Sequence, residues 1–164
     1  MKREALQRLR DAETLEGLIS QTDSAYLLRL LGLELLLKVV HESEVGKCPR
    51  HHRYAEIFGG LPHDVQQCIL SLAETRIGPS ALGGNPIAVF REWGDNFVSL
   101  RYPWEKYEGL SNMERYSRVG AAWIAKGAPL DEATFRYHPK ELFGILHALQ
   151  AFLDEAPHSS EEGS

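Results

Sequence analysis

The stretch that decides the fold reads Phe97-Val98-Ser99-Leu100-Arg101-Tyr102-Pro103-Trp104-Glu105-Lys106-Tyr107-Glu108. Together with the residues before it, this stretch places large side chains at spacings of three and four: Phe90, Trp93, Phe97, Arg101 and Trp104. The spacing predicts one face of an α-helix, so Arg101 points where the aromatic rings point. Arginine is almost never fully buried unless it is paired. Arg101 therefore either meets a carboxylate, such as Glu105 or Glu108, or lines a groove that accepts an anion.

Length and composition predict one soluble globular domain, residues 1–156, followed by a short, acidic and disordered tail, residues 157–164. The chain has 164 residues, of which 43% are hydrophobic and 25% charged, and this is enough to bury a core without disulfides. Its formal net charge of −5 excludes a general attraction to nucleic acid or to an anionic membrane. Any phosphate binding must therefore come from a local cluster of arginines.

Targeting and redox signals are absent from the sequence. No apolar signal segment follows Met1, and charged residues interrupt the apolar run Ala25 to Val40, which is also too short for a bilayer. Cys48 and Cys68 lack the Cys-x-x-Cys spacing, and a domain of this size needs no disulfide. We therefore expect a cytoplasmic protein with reduced cysteines and no contact with a membrane.

Apolar periodicity and turn signals predict helices along most of the chain. We expect helices over residues 2–20, from a cap at Asp23 or Ser24 past Val40, over residues 51–58, from Pro62 to Gly78, from Pro86 to Pro103, and after Pro139. The pattern weakens between Gly109 and His138, where two short strands are the alternative. The predicted fold class is all-α, a four- to five-helix bundle, with a small β-hairpin between residues 119 and 137 left open.

Three segments together resemble bacterial HEPN domains, whose name abbreviates higher eukaryotes and prokaryotes nucleotide-binding. They are residues 31–38 (LGLELLLK), residues 52–62 (HRYAEIFGGLP) and residues 97–105, with an Arg-Tyr-x-x-Glu core from Arg101 to Glu105. Order and spacing agree with the family from roughly Ser24 to Leu153. The resemblance implies four or five helices and a homodimer whose two grooves converge. For catalytic members it implies metal-independent RNA cleavage, in toxins of toxin and antitoxin pairs or in antiphage nucleases.

The sequence departs from the catalytic members of this family at one position. Those members carry a histidine four to six residues after the arginine, whereas Glu105, Lys106 and Tyr107 occupy those positions after Arg101 here. Cleavage of RNA by its own 2′-hydroxyl needs a group that exchanges a proton near neutral pH, and histidine is the side chain suited to this. Lys106 would have to be strongly desolvated to act as a base, although as a cation it could stabilise phosphate charge. Binding therefore survives the change more easily than catalysis.

Two overlapping sets of site residues follow. The ligand-binding set comprises a phosphate clamp, three rings that could stack on bases, a carboxylate and a second arginine: Arg101, Tyr102, Trp104, Tyr107, Glu105 and Arg29. The catalytic set comprises Arg101, Lys106 and His138, the last as a proton carrier from a distant position. Simpler interpretations stand beside both: a structural ion pair between Arg101 and Glu105, and an Arg29 side chain that only snorkels.

The sequence contains no recognisable metal-binding or cofactor-binding motif. The adjacent pair His51-His52 points in different directions on a helix and lacks third and fourth ligands at suitable spacing, so capping or surface roles are the better interpretation. No Gly-x-x-x-x-Gly-Lys loop and no Gly-x-Ser-x-Gly elbow occurs. We therefore expect neither a metal nor another cofactor.

Three functions remain open at this stage. In the first, the domain holds RNA or a nucleotide in a dimer groove, within a defence or toxin and antitoxin system that supplies an antitoxin-like protein partner. In the second, it is a metal-independent endoribonuclease with Arg101 as phosphate clamp and another group as proton carrier. In the third, it is a structural module that binds a protein partner. The missing histidine favours the first.

Overall fold

The computed structural model describes residues 1–18, 23–101, 124–127, 133 and 136–155, and every regular element among them is helical. A 3-10 turn at Ala81–Gly83 accompanies six α-helices: α1 Lys2–Leu18, α2 Asp23–Val45, α3 Tyr54–Gly59, α4 His63–Ile77, α5 Pro86–Arg101 and α6 Pro139–Glu155. The all-α fold class is confirmed. The predicted hairpin, residues 119–137, lies largely outside the described residues. Within this range, Ile124 and Ala125 are described and are helical. The tail, residues 157–164, also lies outside them.

Helix α2 is the centre of the bundle because it is apolar on almost every side. It contacts α1, α3, α5 and α6, and four of its leucines are completely buried: Leu30, Leu33, Leu36 and Leu37. Gly32 lies where α1 packs closest, since a Cβ atom there would come within 2.7 Å of Leu9 Cδ2. None of the described helices combines the length and the apolarity that crossing a membrane requires.

Helix α6 closes the bundle by packing against α4 and α2. Its apolar stripe is buried, as the sequence predicts: Leu142, Leu146, Leu149 and Leu153. Gly144 allows the close approach to α4, because a Cβ atom there would come within 2.9 Å of Ile77 Cδ1. A larger residue at this position would require the Ile77 side chain to move.

Helix α5 supplies the aromatic part of the core. Phe90, Trp93 and Phe97 are buried, which confirms their interpretation as packing residues. The Phe90 ring stacks on that of Phe58 with centroids 4.2 Å apart, and it meets the Trp93 ring edge-on at 5.1 Å. These contacts fix the rotation of α5 about its axis and thereby the direction in which its remaining residues point.

Residues 136–138 lead into α6 and are held by buried side-chain donors from α2 and α5. The Tyr137 carbonyl accepts hydrogen bonds from the Tyr26 hydroxyl at 3.1 Å and from Trp93 Nε1 at 3.2 Å. Asn96 Nδ2 donates to the Arg136 carbonyl at 2.8 Å. Backbone carbonyls outside a helix thus find partners inside the bundle, which is the condition for burying such a segment.

Two buried tyrosines predict a loss of stability in alkaline solution. Burial raises the pKa of the Tyr26 and Tyr54 hydroxyls well above the usual range. The unfolded chain therefore ionises near pH 10 while the folded chain stays protonated, so each tyrosine stabilises the fold fully below pH 10 and progressively less above it. The slope is at most about 1.4 kcal/mol per pH unit for each hydroxyl.

The measurement is the free energy of unfolding in urea at pH 8 and at pH 11, for the wild type and for Tyr54→Phe. We expect the variant to lose less stability between the two pH values, because one of the two buried hydroxyls is gone. Equal losses would contradict the assignment of this pH dependence to Tyr54.

Candidate functional site

Arg101 is the last residue of α5 and lies at the surface of the bundle. Its guanidinium carbon lies 4.4 Å from the centroid of the Phe97 ring, and its Nε donates to the Phe97 carbonyl at 3.2 Å. The cation therefore rests on an aromatic face that is itself packed into the core. The alternative partner Glu105 lies outside the described residues, as do Tyr102, Trp104, Lys106 and Tyr107. Their predicted roles remain predictions.

His52 approaches the same phenylalanine from the connection between α2 and α3. Its ring centroid lies 6.1 Å from that of Phe97, and the Tyr54 ring lies 5.9 Å from it. The His52 side chain is 54% exposed, so one part of the ring reaches solvent. The buried Phe97 ring is thus in contact with both the exposed Arg101 and the half-exposed His52.

A buried carboxylate fixes His52. The Glu34 side chain is only 4% exposed, and its Oε1 lies 2.8 Å from Lys38 Nζ and 2.8 Å from His52 Nδ1. Lys38 is itself nearly buried, with 11% of its side chain exposed. An ionised carboxylate can only accept hydrogen bonds, so the Nδ1 of His52 carries the hydrogen and Nε2 is the basic nitrogen of the neutral ring. The exposed histidine is therefore held in one orientation and one tautomer.

Tyr54 connects this cluster to Arg101 electrostatically. Its hydroxyl donates to the Leu30 carbonyl at 3.0 Å. Burial raises the pKa of this hydroxyl, the negative charge of Glu34 raises it further, and the positive charge of Arg101 acts in the opposite direction. The charges of Glu34 and Arg101 therefore both influence the Tyr54 hydroxyl, in opposite directions.

A cleft of about 440 Å³ opens beside His52, between the start of α3 and the outer face of α5. Its lining on α5 includes Ile87, Arg91, Asp95 and Val98. The volume falls within the range of about 300–1,000 Å³ that small-molecule sites occupy. His52 lines this cleft and also contacts the Phe97 ring that supports Arg101, so the cleft lies next to that ring.

The structure gives Arg29 a different set of contacts. Its Nη2 and Nε bind the carboxylate of Glu16 at 2.5 and 3.1 Å, which ties α2 to α1. Arg29, which the sequence also predicts as a second phosphate contact, therefore has a structural role in this bidentate pair. No described contact connects Arg29 with the cluster around Phe97 and His52.

His138 likewise has a structural partner. Its Nε2 lies 2.5 Å from Glu92 Oε2, and its ring meets the Trp93 ring edge-on at 6.5 Å. Its backbone has a φ of 46°, a left-handed conformation just before α6, and the contact with Glu92 holds its side chain there. Glu92 precedes Arg101 by nine residues on α5, or about 13 Å along the helix axis, so His138 is held away from the arginine.

Sequence reasoning missed the pair Glu34 and His52. A signal was present, because a carboxylate within a leucine-rich helix that is buried on almost every side must find partners there. Lys38, at a spacing of four residues, is the partner that the sequence shows. The second partner, His52, comes from 18 residues further along the chain and is visible only after folding.

Comparison with protein-family models, with curated proteins and with solved structures found no match to this chain.

The buried ion pair of Glu34 and Lys38 should contribute far more to the free energy of unfolding than an exposed ion pair of the same spacing. We expect Glu34→Ala to lower the free energy of unfolding by about 3–5 kcal/mol, because Lys38 remains buried without a counter-charge. The matched control is Glu4→Ala, which breaks the exposed pair between Glu4 and Arg8 and should cost less than about 1 kcal/mol.

Urea unfolding at neutral pH measures both variants. The double substitution Glu34→Leu with Lys38→Met should recover part of the loss, since two apolar side chains of similar volume replace the pair. Equal small losses for Glu34→Ala and Glu4→Ala would show that the buried cluster does not hold the fold together.

Proposed function

We propose that this protein is a helical module that binds RNA or a nucleotide, with Arg101 as the phosphate contact. The observation that carries the proposal is the placement of an exposed guanidinium on the ring of Phe97, a ring that the half-exposed side chain of His52 also approaches. The resemblance to HEPN domains supports the same function, because the Arg-Tyr-x-x-Glu core that carries it begins at this arginine.

The chemistry of the cluster suits a phosphate. A guanidinium is planar and forms two parallel hydrogen bonds to phosphate oxygens, a geometry that lysine does not offer. The Phe97 ring and carbonyl restrict the Arg101 side chain, so less rotamer entropy is lost when a ligand binds. His52, whose ring centroid lies 6.1 Å from that of Phe97, adds a second hydrogen-bond donor or acceptor near the same ring.

A local site of this kind is compatible with an acidic chain. With a formal net charge of −5, the protein as a whole repels a polyanion at long range. Binding must then depend on short-range contacts, and it should weaken only modestly with added salt because few phosphates are neutralised. The resemblance extends the proposal to a cytoplasmic homodimer in a defence or toxin and antitoxin system, with an antitoxin-like protein as partner.

Arg101→Gln tests the phosphate contact. We expect the dissociation constant for a fluorescein-labelled single-stranded RNA to rise by about tenfold or more, because a charge-assisted hydrogen bond contributes about 1.5–3 kcal/mol. Fluorescence anisotropy in EDTA measures it. The matched control is Arg3→Gln, an exposed arginine on α1, which should bind as the wild type does. Equal weakening in both variants would mean that only general charge matters, and wild-type affinity in Arg101→Gln would refute the contact.

One observation favours a second candidate function, metal-independent endoribonuclease activity. The pair of Glu34 and His52 supplies a proton carrier that the residues following Arg101 lack. In this reaction His52 Nε2 takes the proton of a ribose 2′-hydroxyl, and the oxygen attacks the adjacent phosphorus. The bond from phosphorus to the 5′-oxygen breaks, and that oxygen takes a proton from His52. The products are a 2′,3′-cyclic phosphate and a 5′-hydroxyl, with Arg101 stabilising the charge on the phosphorane.

His52→Gln separates binding from cleavage. If the wild type cleaves labelled RNA in EDTA, we expect this variant to lose about 100-fold or more of the rate, because the general base is gone. His63→Gln, an exposed histidine at the start of α4, is the control and should keep the rate. Cleavage that survives His52→Gln unchanged would remove His52 as the base, and loss in His138→Ala alone would restore the predicted role of His138.

The same assay distinguishes the remaining functions. Binding of RNA by the wild type without cleavage identifies a binding module. Neither binding nor cleavage favours the third function, a structural module for a protein partner.

A further inference from the structure

We propose that the cleft between α3 and α5 takes a guanine base, with Arg91 and Asp95 as the residues that select it. The guanine preference rests on the proposed binding of RNA or a nucleotide at Arg101, and it adds the class of base to that function.

Arg91 and Asp95 lie one turn apart on the exposed face of α5 and both line the cleft. Opposite charges at this spacing often pair across a helix turn. Within the described part of the chain, however, neither side chain forms an ion pair or a hydrogen bond. A guanidinium and a carboxylate thus stand next to each other in a cleft, each with its hydrogen-bonding capacity available to a ligand.

Guanine is the base whose edges complement this arrangement. Its O6 and N7 atoms are acceptors, and an arginine that binds both is the commonest specific contact to a base. Its N1–H and N2–H₂ groups are adjacent donors that a carboxylate can accept together. Adenine presents an unprotonated N1 where the carboxylate of Asp95 would need a donor, and uracil offers a single N–H with carbonyls on either side. Only guanine places two acceptors and two donors on neighbouring edges.

Apolar residues flank the two charges along the same helix face. Ile87 precedes Arg91 by one turn, and Val98 follows Asp95 by almost one turn. Val98 is 45% exposed, so an apolar surface faces the cleft beside Arg91 and Asp95. A planar base lying across these side chains would bury that surface while its edges meet Arg91 and Asp95.

The position of the cleft relative to Arg101 fits a base attached to a phosphate. His52 lines the cleft, and its ring also faces Phe97, which carries the Arg101 guanidinium. A nucleotide with its base in the cleft would therefore direct its phosphate past His52 toward Arg101. The two parts of the ligand use different residues, so they can be tested independently.

The experiment measures dissociation constants for GMP, IMP and AMP by calorimetry. IMP lacks only the N2 amino group of guanine. For the wild type we expect GMP to bind about tenfold or more tighter than AMP, because one well-formed bidentate contact discriminates by about that factor. GMP should also bind tighter than IMP. In Asp95→Asn, where a donor replaces one acceptor oxygen, the difference between GMP and IMP should disappear, whereas Asp64→Asn, an exposed aspartate on α4, should leave it unchanged.

Arg101→Gln, measured with the same three ligands, separates the two proposals. Weaker binding of all three with the preference for GMP retained supports both. Equal affinity of the wild type for GMP, IMP and AMP overturns the guanine preference and leaves the phosphate contact in place if binding still depends on Arg101. A preference for GMP that does not depend on Arg101 supports the cleft and overturns the phosphate contact. Binding of none of the three overturns the guanine site, and labelled RNA then decides the proposed function alone.

Discussion

The buried carboxylate of Glu34 is the constraint on which the rest of the structure depends. It lies in the middle of α2, a helix that is otherwise apolar, and an unpaired charge at that place would strongly destabilise the fold. Lys38 pairs with it from within the helix, and His52 pairs with it from the following connection. The same interaction that makes α2 compatible with the core therefore fixes the segment that precedes α3. It also determines that one edge of the His52 ring faces solvent.

Helix α5 has one face that packs in the core and another that borders the cleft. The aromatic face is packed against α3 and α2, and Phe90 and Trp93 hold it rigidly. The opposite face borders the cleft, and the helix ends at Arg101. Phe97 belongs to both, since its ring is buried and yet supports the guanidinium. Groups held on a packed helix keep their positions more accurately than groups on a loop, which is the condition a specific binding site must meet.

Binding and cleavage place different demands on this cluster. The proposed phosphate contact needs a fixed cation, and the ring and carbonyl of Phe97 help to hold the Arg101 side chain in place. Cleavage also needs a group that gains and loses a proton, and the contact between Glu34 and His52 is the arrangement that orients a histidine for such a role. The two proposed functions therefore use the same surface and differ in whether the His52 ring takes part.

The sequence by itself determined the helices, since a repeat of 3.6 residues is a local property that neighbouring residues display directly. The buried aromatic face of α5 follows from it, and the prolines predict the helices that begin at Pro86 and Pro139. Only the tertiary structure decided which charged side chains from distant parts of the chain meet. Glu34 and His52 are 18 residues apart, and Glu92 and His138 are 46 apart. Such pairs depend on how helices pack against one another, and spacing along the chain does not encode that packing.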